Sequence, residues 1–546
     1  MLRYWLLLAF IPSAEAQRAC AGCHAKIYET YSRTAMARSF YRPSSSQTGE
    51  YFHEASNTHF SMIQRDGRLV QRRWQIGYQG REENVDEKSV DYVIGSGNHT
   101  KTYLHRTASG ALQQLPLAWY AEKGGFWAMN PGYDKPDQPN ARRKINYECM
   151  GCHNTMPSIP ADHNQPRAEP VYIGALPEGI SCQRCHGLGD HSTFVKPGNE
   201  VCLQCHLETT SFPFPHSIEK YDGSGTLYFD HPEPDRFQIV SAAYRMRMSK
   251  CKVECTTCHD PHDDSPKDYN AVCGTCHERH IAGSCVDCHM PKRRTDDVVH
   301  VVMTDHFIQR RKPAGDLIAA KPERNGPETV YHGEVLSYGS PADELYLASA
   351  QVLERNNLEK GIPRLKAAIA KYRPAEARFY INLADALLPN EAISVYQEAI
   401  RRKPSSLAAL MGLGLAFDLV NQPAKSADAF RRATQALPSD ASAWLGLGQQ
   451  LMKLNLQNEA NSALQKSIQL DPEIPETHYA FGTEASLREA IRLQPDYAAA
   501  HLNLAIILAR SNLRNEANFH FKEAIRLRPN YPLAQRNYNL FLSGGR

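Results

Sequence analysis

The sequence predicts a largely α-helical protein. A cysteine-rich region of short helices and long loops, carrying a small β-rich insertion, is followed by an α-solenoid. Three observations carry this prediction. All 15 cysteines lie between Cys20 and Cys288, with none in the last 258 residues. A cysteine-free stretch at about 27–148 holds partly alternating apolar runs around glycine turns. Beyond about residue 340, prolines recur at a nearly constant interval.

The N-terminus, MLRYWLLLAFIPSAEAQ, has a basic residue, a short apolar run and an Ala-Glu-Ala site. It is read as a secretory signal over 1–16, which directs the mature chain to the periplasm or the extracellular space. No later segment has 18 consecutive apolar residues, so no transmembrane segment is expected after cleavage. With 62 basic against 59 acidic residues, neither nucleic acid nor a polybasic membrane contact is expected.

Fourteen of the 15 cysteines fall into seven copies of CxxCH. The copies begin with Cys20, Cys23 and His24; then come Cys149, Cys152 and His153; Cys182, Cys185 and His186; and Cys202, Cys205 and His206. The last three are Cys255, Cys258 and His259; Cys273, Cys276 and His277; and Cys285, Cys288 and His289. Chance would give on the order of 0.02 copies. Two cysteines three apart reach the two vinyl groups of one porphyrin, and the adjacent histidine ligates its iron. Zinc would not demand a histidine after every second cysteine. A disulfide framework would not repeat one spacing seven times. Seven covalently attached haem c groups, each with its iron, are therefore expected over a domain at 17–310, with zinc and disulfides as weaker alternatives. Between Cys149 and His289 six motifs share 141 residues, roughly 24 each. That is too little chain to bury each porphyrin separately, so the cofactors are expected to contact one another.

Twelve further histidines precede residue 307, more than seven six-coordinate irons need. His99, His105, His191, His216, His231, His262, His280, His300 and His306 are the candidate distal ligands. His191, His262 and His280 follow attachment motifs closely and would reach a neighbouring haem. His53, His59 and His163 rank lowest. Met246 and Met248 are expected to pack against porphyrin, and Met290 cannot reach the far face of the iron held by His289. Cys251, in CKVECTTCHDPHDD, is left over: a shielded free thiol, with an intermolecular disulfide as the alternative.

Within the insertion, Asp66-Gly67 in HFSMIQRDGRLVQRRWQIGY reads as a hairpin turn, and Gly124-Gly125 as another. Trp119, Phe126 and Trp127 are assigned to a core or to haem packing rather than to a substrate cage. The basic run KRRTDD, Lys292–Asp297, is expected to be a solvated surface, and 311–340 a polar, proline-rich linker.

In the remainder, Pro374, Pro404, Pro438, Pro472, Pro495 and Pro529 are spaced by 30, 34, 34, 23 and 34 residues. A 34-residue period marks tetratricopeptide repeats, here assigned to 341–546. Trp444, Leu447, Gly448 and Ala460 fit one repeat, and Leu504, Ala505, Ala517, Phe521 and Ala524 another. The 23-residue interval should be distorted or merged into one helix. Such an array presents a concave surface, for partner capture or for scaffolding.

The motifs together with GSGNHTKTYLHR, EGISCQRCHG, VCLQCHLETTS, CTTCHDPH and CHMPKRRTDDVVHVVMTDHFIQRR resemble exported multihaem c-type cytochromes with C-terminal tetratricopeptide repeats. The haem part is similar to the cytochrome c-552/c-554-like group and to the wider nitrite-reductase and hydroxylamine-oxidoreductase group. This implies covalent haems, short-range haem pairs and electron transfer. The CxxCK motif of many pentahaem nitrite reductases is absent, which argues against transferring that catalytic site. The leading expectation is a bis-histidine electron carrier whose repeats dock redox partner proteins. An oxidoreductase acting on a small nitrogen or sulfur compound at one open haem stands second, and a repeat-based assembly scaffold third.

Overall fold

The computed structural model describes residues 20–544 apart from 45–46, 137–141, 156, 161, 164, 188–197, 208–226, 231–235, 279–282, 324–333, 338–343 and 356. The signal segment and His191, His216, His231 and His280 therefore lie outside the described residues.

The insertion is larger than its sequence signal. Strands β1 (Phe40–Tyr41), β2 (Gly49–His53), β3 (Thr58–Arg65), β4 (Arg68–Ile76) and β5 (Glu82–Ser89) open it. Strands β6 (Tyr92–Ile94), β7 (Thr100–Arg106), β8 (Leu112–Tyr120) and β9 (Phe126–Met129) complete it. They form two antiparallel sheets, ordered β2-β3-β4-β5 and β1-β6-β7-β8-β9. Asp66 and Gly67 both have positive φ, 51° and 74°, and close the β3–β4 hairpin with Arg65 opposite Arg68. That is the backbone a two-residue hairpin turn requires. Met62 and Leu69 from one sheet meet Val93, Tyr103 and Leu115 from the other, with Trp119 and Trp127 against them. These two tryptophans are core residues. Strand β8 is buried at eight of its nine positions, so it lacks the alternation that marks a half-exposed strand.

The cysteine-rich region has little regular structure. Its helices are α1 (Ala25–Tyr31), α2 (Tyr147–His153), α3 (Cys182–His186), α4 (Asn199–His206), α5 (Ala242–Met248), α6 (Cys255–Cys258), α7 (Tyr269–Gly274) and α8 (Cys285–His289). None exceeds eight residues, well below what sustains a helix in isolation. Helices α3, α6, α7 and α8, each carrying cysteines of a motif, bury no side chain.

The run Lys292–Asp297 corrects the expectation of a solvated surface. Lys292–Arg294 is a strand paired with Val302–Thr304. Arg294 is 5% exposed and ion-paired with Glu122 through two 2.8 Å contacts, and Asp296 holds Lys321 at 2.7 Å. These partners lie far away in sequence, so a local reading of charge could not find them. The start of the expected linker is fastened to the same strand: Leu317 O accepts from Arg294 N, and Ile318 O and Ala319 O from its guanidinium.

The C-terminal array is six helical hairpins and a closing helix. The hairpins are α9 (Glu344–Leu353) with α10 (Leu358–Tyr372), α11 (Ala377–Ala384) with α12 (Pro389–Arg402), and α13 (Leu407–Leu419) with α14 (Pro423–Ala436). Then come α15 (Ala441–Lys453) with α16 (Gln457–Leu470), α17 (Pro475–Phe481) with α18 (Glu484–Leu493), and α19 (Ala498–Arg510) with α20 (Arg514–Leu527). Helix α21 (Pro532–Leu542) ends the array. Asn421, Asn455 and Asn512 take the left-handed conformation at the turns, which asparagine tolerates. A Cβ at Gly446 would stand 2.6 Å from the Phe430 ring, so only glycine lets these helices approach. The 23-residue interval does not merge into one helix. Gly482, at φ 73°, keeps the turn, and both helices shorten to 7 and 10 residues against 13 and 14 in the preceding hairpin.

The array is docked on the β-rich insertion. Arg492 meets Asp86 at 2.6 Å, Lys88 pairs with Glu473, and the Arg73 guanidinium donates to Arg492 O at 2.6 Å. Farther along, Lys144 reaches Asp471 at 3.1 Å and Arg167 reaches Asp385 at 2.6 Å. Burial pushes the Asp86 carboxyl up, but Arg73, Lys88 and Arg492 outweigh it and hold it below the usual range.

Candidate functional site

Side-chain caps at the short helices tie neighbouring motifs to one another at two places. Asn146 caps α2 by accepting from Cys149 N at 3.0 Å. Asn199, in α4, accepts from Cys255 N at 3.0 Å, at the start of α6. Asn270, in α7, accepts from Cys285 N at 2.8 Å, at the start of α8. The fourth motif thus fixes the fifth, and the sixth fixes the seventh.

The sulfurs form a connected path. No two of the 15 cysteines are joined by a disulfide. The Cys20 thiol lies within hydrogen-bonding reach of Cys182, Cys152 of Cys205, Cys202 of Cys255, and Cys273 of Cys285. Cys185 senses neither isolation nor bulk water: its charge is felt at Cys202 and Cys205. Cys258 and Cys273 are likewise neighbours, with Cys251 beside both. The motif order in space is therefore one, three, four, five, six, seven, with motif two branching from motif four. In two of the thiol pairs contact with the partner lowers the pKa of one thiol, Cys152 against Cys205 and Cys255 against Cys202.

Two of the candidate distal histidines face a motif histidine. The His186 and His262 rings are 5.9 Å apart between centroids, with planes 6° from parallel. The His259 and His306 rings are 6.1 Å apart at 33°. An imidazole nitrogen binds a metal at about 2.0 Å, so two rings sharing one metal ion stand roughly 6 Å apart. Both pairs fit that requirement. His262 is aimed by a turn in which its own N–H donates to Asp260 Oδ1 at 2.9 Å. His306 Nδ1 lies 3.2 Å from Thr304 O, which leaves its Nε2 for a ligand, and His289 Nδ1 lies 2.7 Å from Gln309 O. Burial and then the neighbouring His206 push His153 down to about 4, and burial lowers His206, His259 and His306 as well. Neutral imidazole is the form that ligates a metal.

The other described candidates stand elsewhere. His105 Nδ1 is 3.0 Å from Ser89 O and 3.2 Å from Asp91. His300 meets the rings of Tyr120 and Phe126 edge-on. His99 is lowered by burial and by the Lys292 charge. Of the low-ranked histidines, His53 spends both nitrogens, on Ser56 and Asp134. His59 is held between Phe52 and Trp74, and His163 binds Glu169 O and Ser439. Among the described residues no three His, Cys, Asp or Glu side chains converge as a metal cage. The recurring unit is instead a cysteine pair with one histidine, joined twice by a second histidine opposite.

Sequence reasoning missed the buried pair Arg245–Asp305. Its two contacts are 2.9 and 2.6 Å, with side chains 1% and 2% exposed. Asp305 Oδ1 also accepts from Phe307 N at 3.0 Å, and Ser249 Oγ accepts from Ile308 N at 2.8 Å. The residues on either side of His306 are thus tied to α5 and to Ser249, which ends it. The arginines of SAAYRMRMSK lie among apolar residues, the one signal that could have pointed to this pair.

Comparison with known proteins agrees with this division. Residues 388–436 and 420–473 match the tetratricopeptide-repeat family. The dissimilatory sulfite reductase MccA of Wolinella succinogenes is 25% identical over 161 aligned residues, covering 21% of this chain and 22% of that protein. The chain thus spans about a fifth of the length of the curated relative it matches. Among solved structures, YrrB, a tetratricopeptide-repeat protein with an unusual peptide-binding site, aligns at 23% identity. It covers 32% of this chain and 98% of its own, with a TM-score of 0.27. MamA aligns at 20% identity over 26% of this chain and 88% of its own, with a TM-score of 0.24. The C-terminal part of this chain is a tetratricopeptide-repeat array, joined to a β-sheet-bearing N-terminal part that holds seven CxxCH motifs.

Proposed function

We propose that the protein is an exported seven-haem c-type cytochrome that passes electrons between redox partner proteins, with its repeat array as the docking platform. The facing pair His186–His262, at 5.9 Å and 6°, is the observation that carries this reading. The continuous path of thiols from Cys20 to Cys285 supports it. Haem, when bound, supplies a one-electron couple at each motif. The chain's own residues would do the rest. Cys182 and Cys185 would anchor a porphyrin, and His186 and His262 would ligate its iron. Cys255, Cys258, His259 and His306 would do the same at the fifth motif. The helix caps from Asn199 and Asn270 would hold neighbouring sites at fixed separation, as transfer without motion requires. The docked array would fix where a partner lies relative to the motifs.

A second reading, catalysis on a small sulfur or nitrogen compound at one open haem, draws on the likeness to a sulfite reductase. Electron paramagnetic resonance of the oxidised holoprotein separates the two. Low-spin signals alone support the carrier, and a substantial axial high-spin signal supports the enzyme. Deleting 341–546 should slow reduction by a partner protein; an unchanged rate would remove the docking role.

A further inference from the structure

Arg184 occupies a junction. It is the third residue of CQRCH, and its guanidinium donates to Gly151 O of CMGCH at 3.2 Å. Its charge favours the thiolate of Cys152, of Cys185 and of Cys205. It therefore stands where the second, third and fourth motifs meet. Yet its Nε is buried without a hydrogen-bond acceptor, and among the described residues no carboxylate pairs with it. On the same two segments, Ser181 Oγ, Asn154 Oδ1 and His153 Nδ1 are also buried without partners. Ser181 and Arg184 are held together by the bond from Arg184 N to Ser181 O, at 3.0 Å. Ser181 is anchored to the second motif's segment by its own N–H to Thr155 Oγ1, at 2.7 Å.

A guanidinium with a buried, unpaired donor and no counter-ion is costly. Its planar fork matches two oxygens of one anion, and the unpartnered hydroxyl of Ser181, three residues earlier in the chain, is a further donor. We propose that Arg184, with Ser181 Oγ, binds an oxyanion at the junction of the second, third and fourth motifs. This rests on the haem reading above. The oxyanion has two possible sources: a propionate of a porphyrin attached at one of these motifs, or a free inorganic oxyanion such as sulfite. Both present a planar or pyramidal set of oxygens to the same donors. The branch to the second motif gives the charge a consequence, since a cation there favours the reduced state of the sites around it.

The test uses the full-length holoprotein, wild type beside R184Q and R184K, after the covalent haem content of each has been counted. A wild-type protein without haem would remove the reading on which the proposal rests, whatever Arg184 does. With seven haems present, spectroelectrochemical titration is run without and with added sulfite. If a porphyrin propionate is the ligand, R184Q lowers at least one midpoint potential without sulfite, and R184K restores most of it. If the ligand is free, added sulfite lowers the wild-type potentials and leaves those of R184Q unchanged, whereas a propionate ligand leaves both insensitive to sulfite. The wild-type spectrum then responds to sulfite with a half-saturation that R184Q raises tenfold or more. Identical potentials and identical sulfite responses in wild type and R184Q overturn the proposal. Should R184Q not accumulate, S181A gives both readouts at smaller amplitude, and its identity with wild type in both is equally contrary.

Discussion

The repeat array and the cysteine-rich region are stabilised by opposite means. Helix α13 alone buries nine residues, from Leu407 to Phe417, against its neighbours. Helices α3, α6, α7 and α8 bury none. The array carries its own apolar core in Ala, Leu and Phe side chains at helical spacing. Among its described residues the cysteine region has instead thiols, imidazoles and the buried Arg245–Asp305 pair; its own apolar cluster, at Leu203, Leu207, Ala243 and Tyr244, is small, and Tyr147, Met150 and Tyr172 pack on the β-rich insertion. Under the proposed reading, the groups attached at the motifs would supply much of the core that this region's side chains do not.

The sharpest way to break this contrast is to make the protein without haem attachment. The account expects limited proteolysis to digest the cysteine-rich region entirely and to leave a resistant fragment starting near residue 341. A protease-resistant region around Cys149–His289 in the haem-free protein would refute the contrast.

Two substitutions of similar size act one on each side of it. Removing one partner of the buried Arg245–Asp305 pair, as in R245M, should cost about 3–5 kcal/mol. It should also loosen His306, read as a new high-spin signal in the holoprotein. F521A, in the last hairpin, should cost about 3–5 kcal/mol in the array's unfolding transition and leave the haem absorbance unchanged. Denaturant titrations followed by circular dichroism and by visible absorbance separate the two effects.

A smaller, pH-dependent effect belongs to the array alone. His501 and His520 face each other in its last hairpin, Nδ1 to Nδ1 at 2.9 Å. Burial pushes them down to about 4 and about 3, with each also sensing charges nearby. The unfolded chain would take up protons near pH 6.5 while the folded pair refuses them. Stability is therefore full above that pH and falls as pH drops towards 4. Between pH 7.5 and 5 the array should lose about 4 kcal/mol, about 2 from each histidine, measured by thermal unfolding, and H520F should roughly halve the slope of the profile.

The smallest effect is expected at the seam between the regions. D86N removes the carboxylate that Arg492, Arg73 and Lys88 share, and should cost about 1 kcal/mol. Because Asp86 is held below the usual carboxylate range, its contribution is present at neutral pH. It is lost as pH falls below about 4. A salt titration of the wild type should mimic the substitution.

What could be read from the sequence follows the same division. The array's period and its small residues are local, and the helices stand where they predict. Only the outcome of the 23-residue interval needed the structure, because a single glycine, Gly482, decides between a merged helix and a turn. The Asp66-Gly67 hairpin was equally legible. The second sheet was not, because β8 is buried on both faces and shows no alternation. The motifs announced their cysteines and histidines, but the order of the sites in space did not follow their order in the chain. That order depends on contacts such as Cys152 with Cys205 and Cys202 with Cys255, more than fifty residues apart. The misread basic run and the missed Arg245–Asp305 pair share this cause, since their partners are distant in sequence.

The most direct test of the central claim is the number of covalently bound haems per polypeptide, measured on the exported, acid-extracted protein by pyridine haemochrome and intact mass. The account predicts seven, retained through extraction, with thioethers at both cysteines of every motif and Cys251 unmodified. A purified protein that retains no haem, or whose CxxCH cysteines carry zinc or disulfides instead, would contradict it.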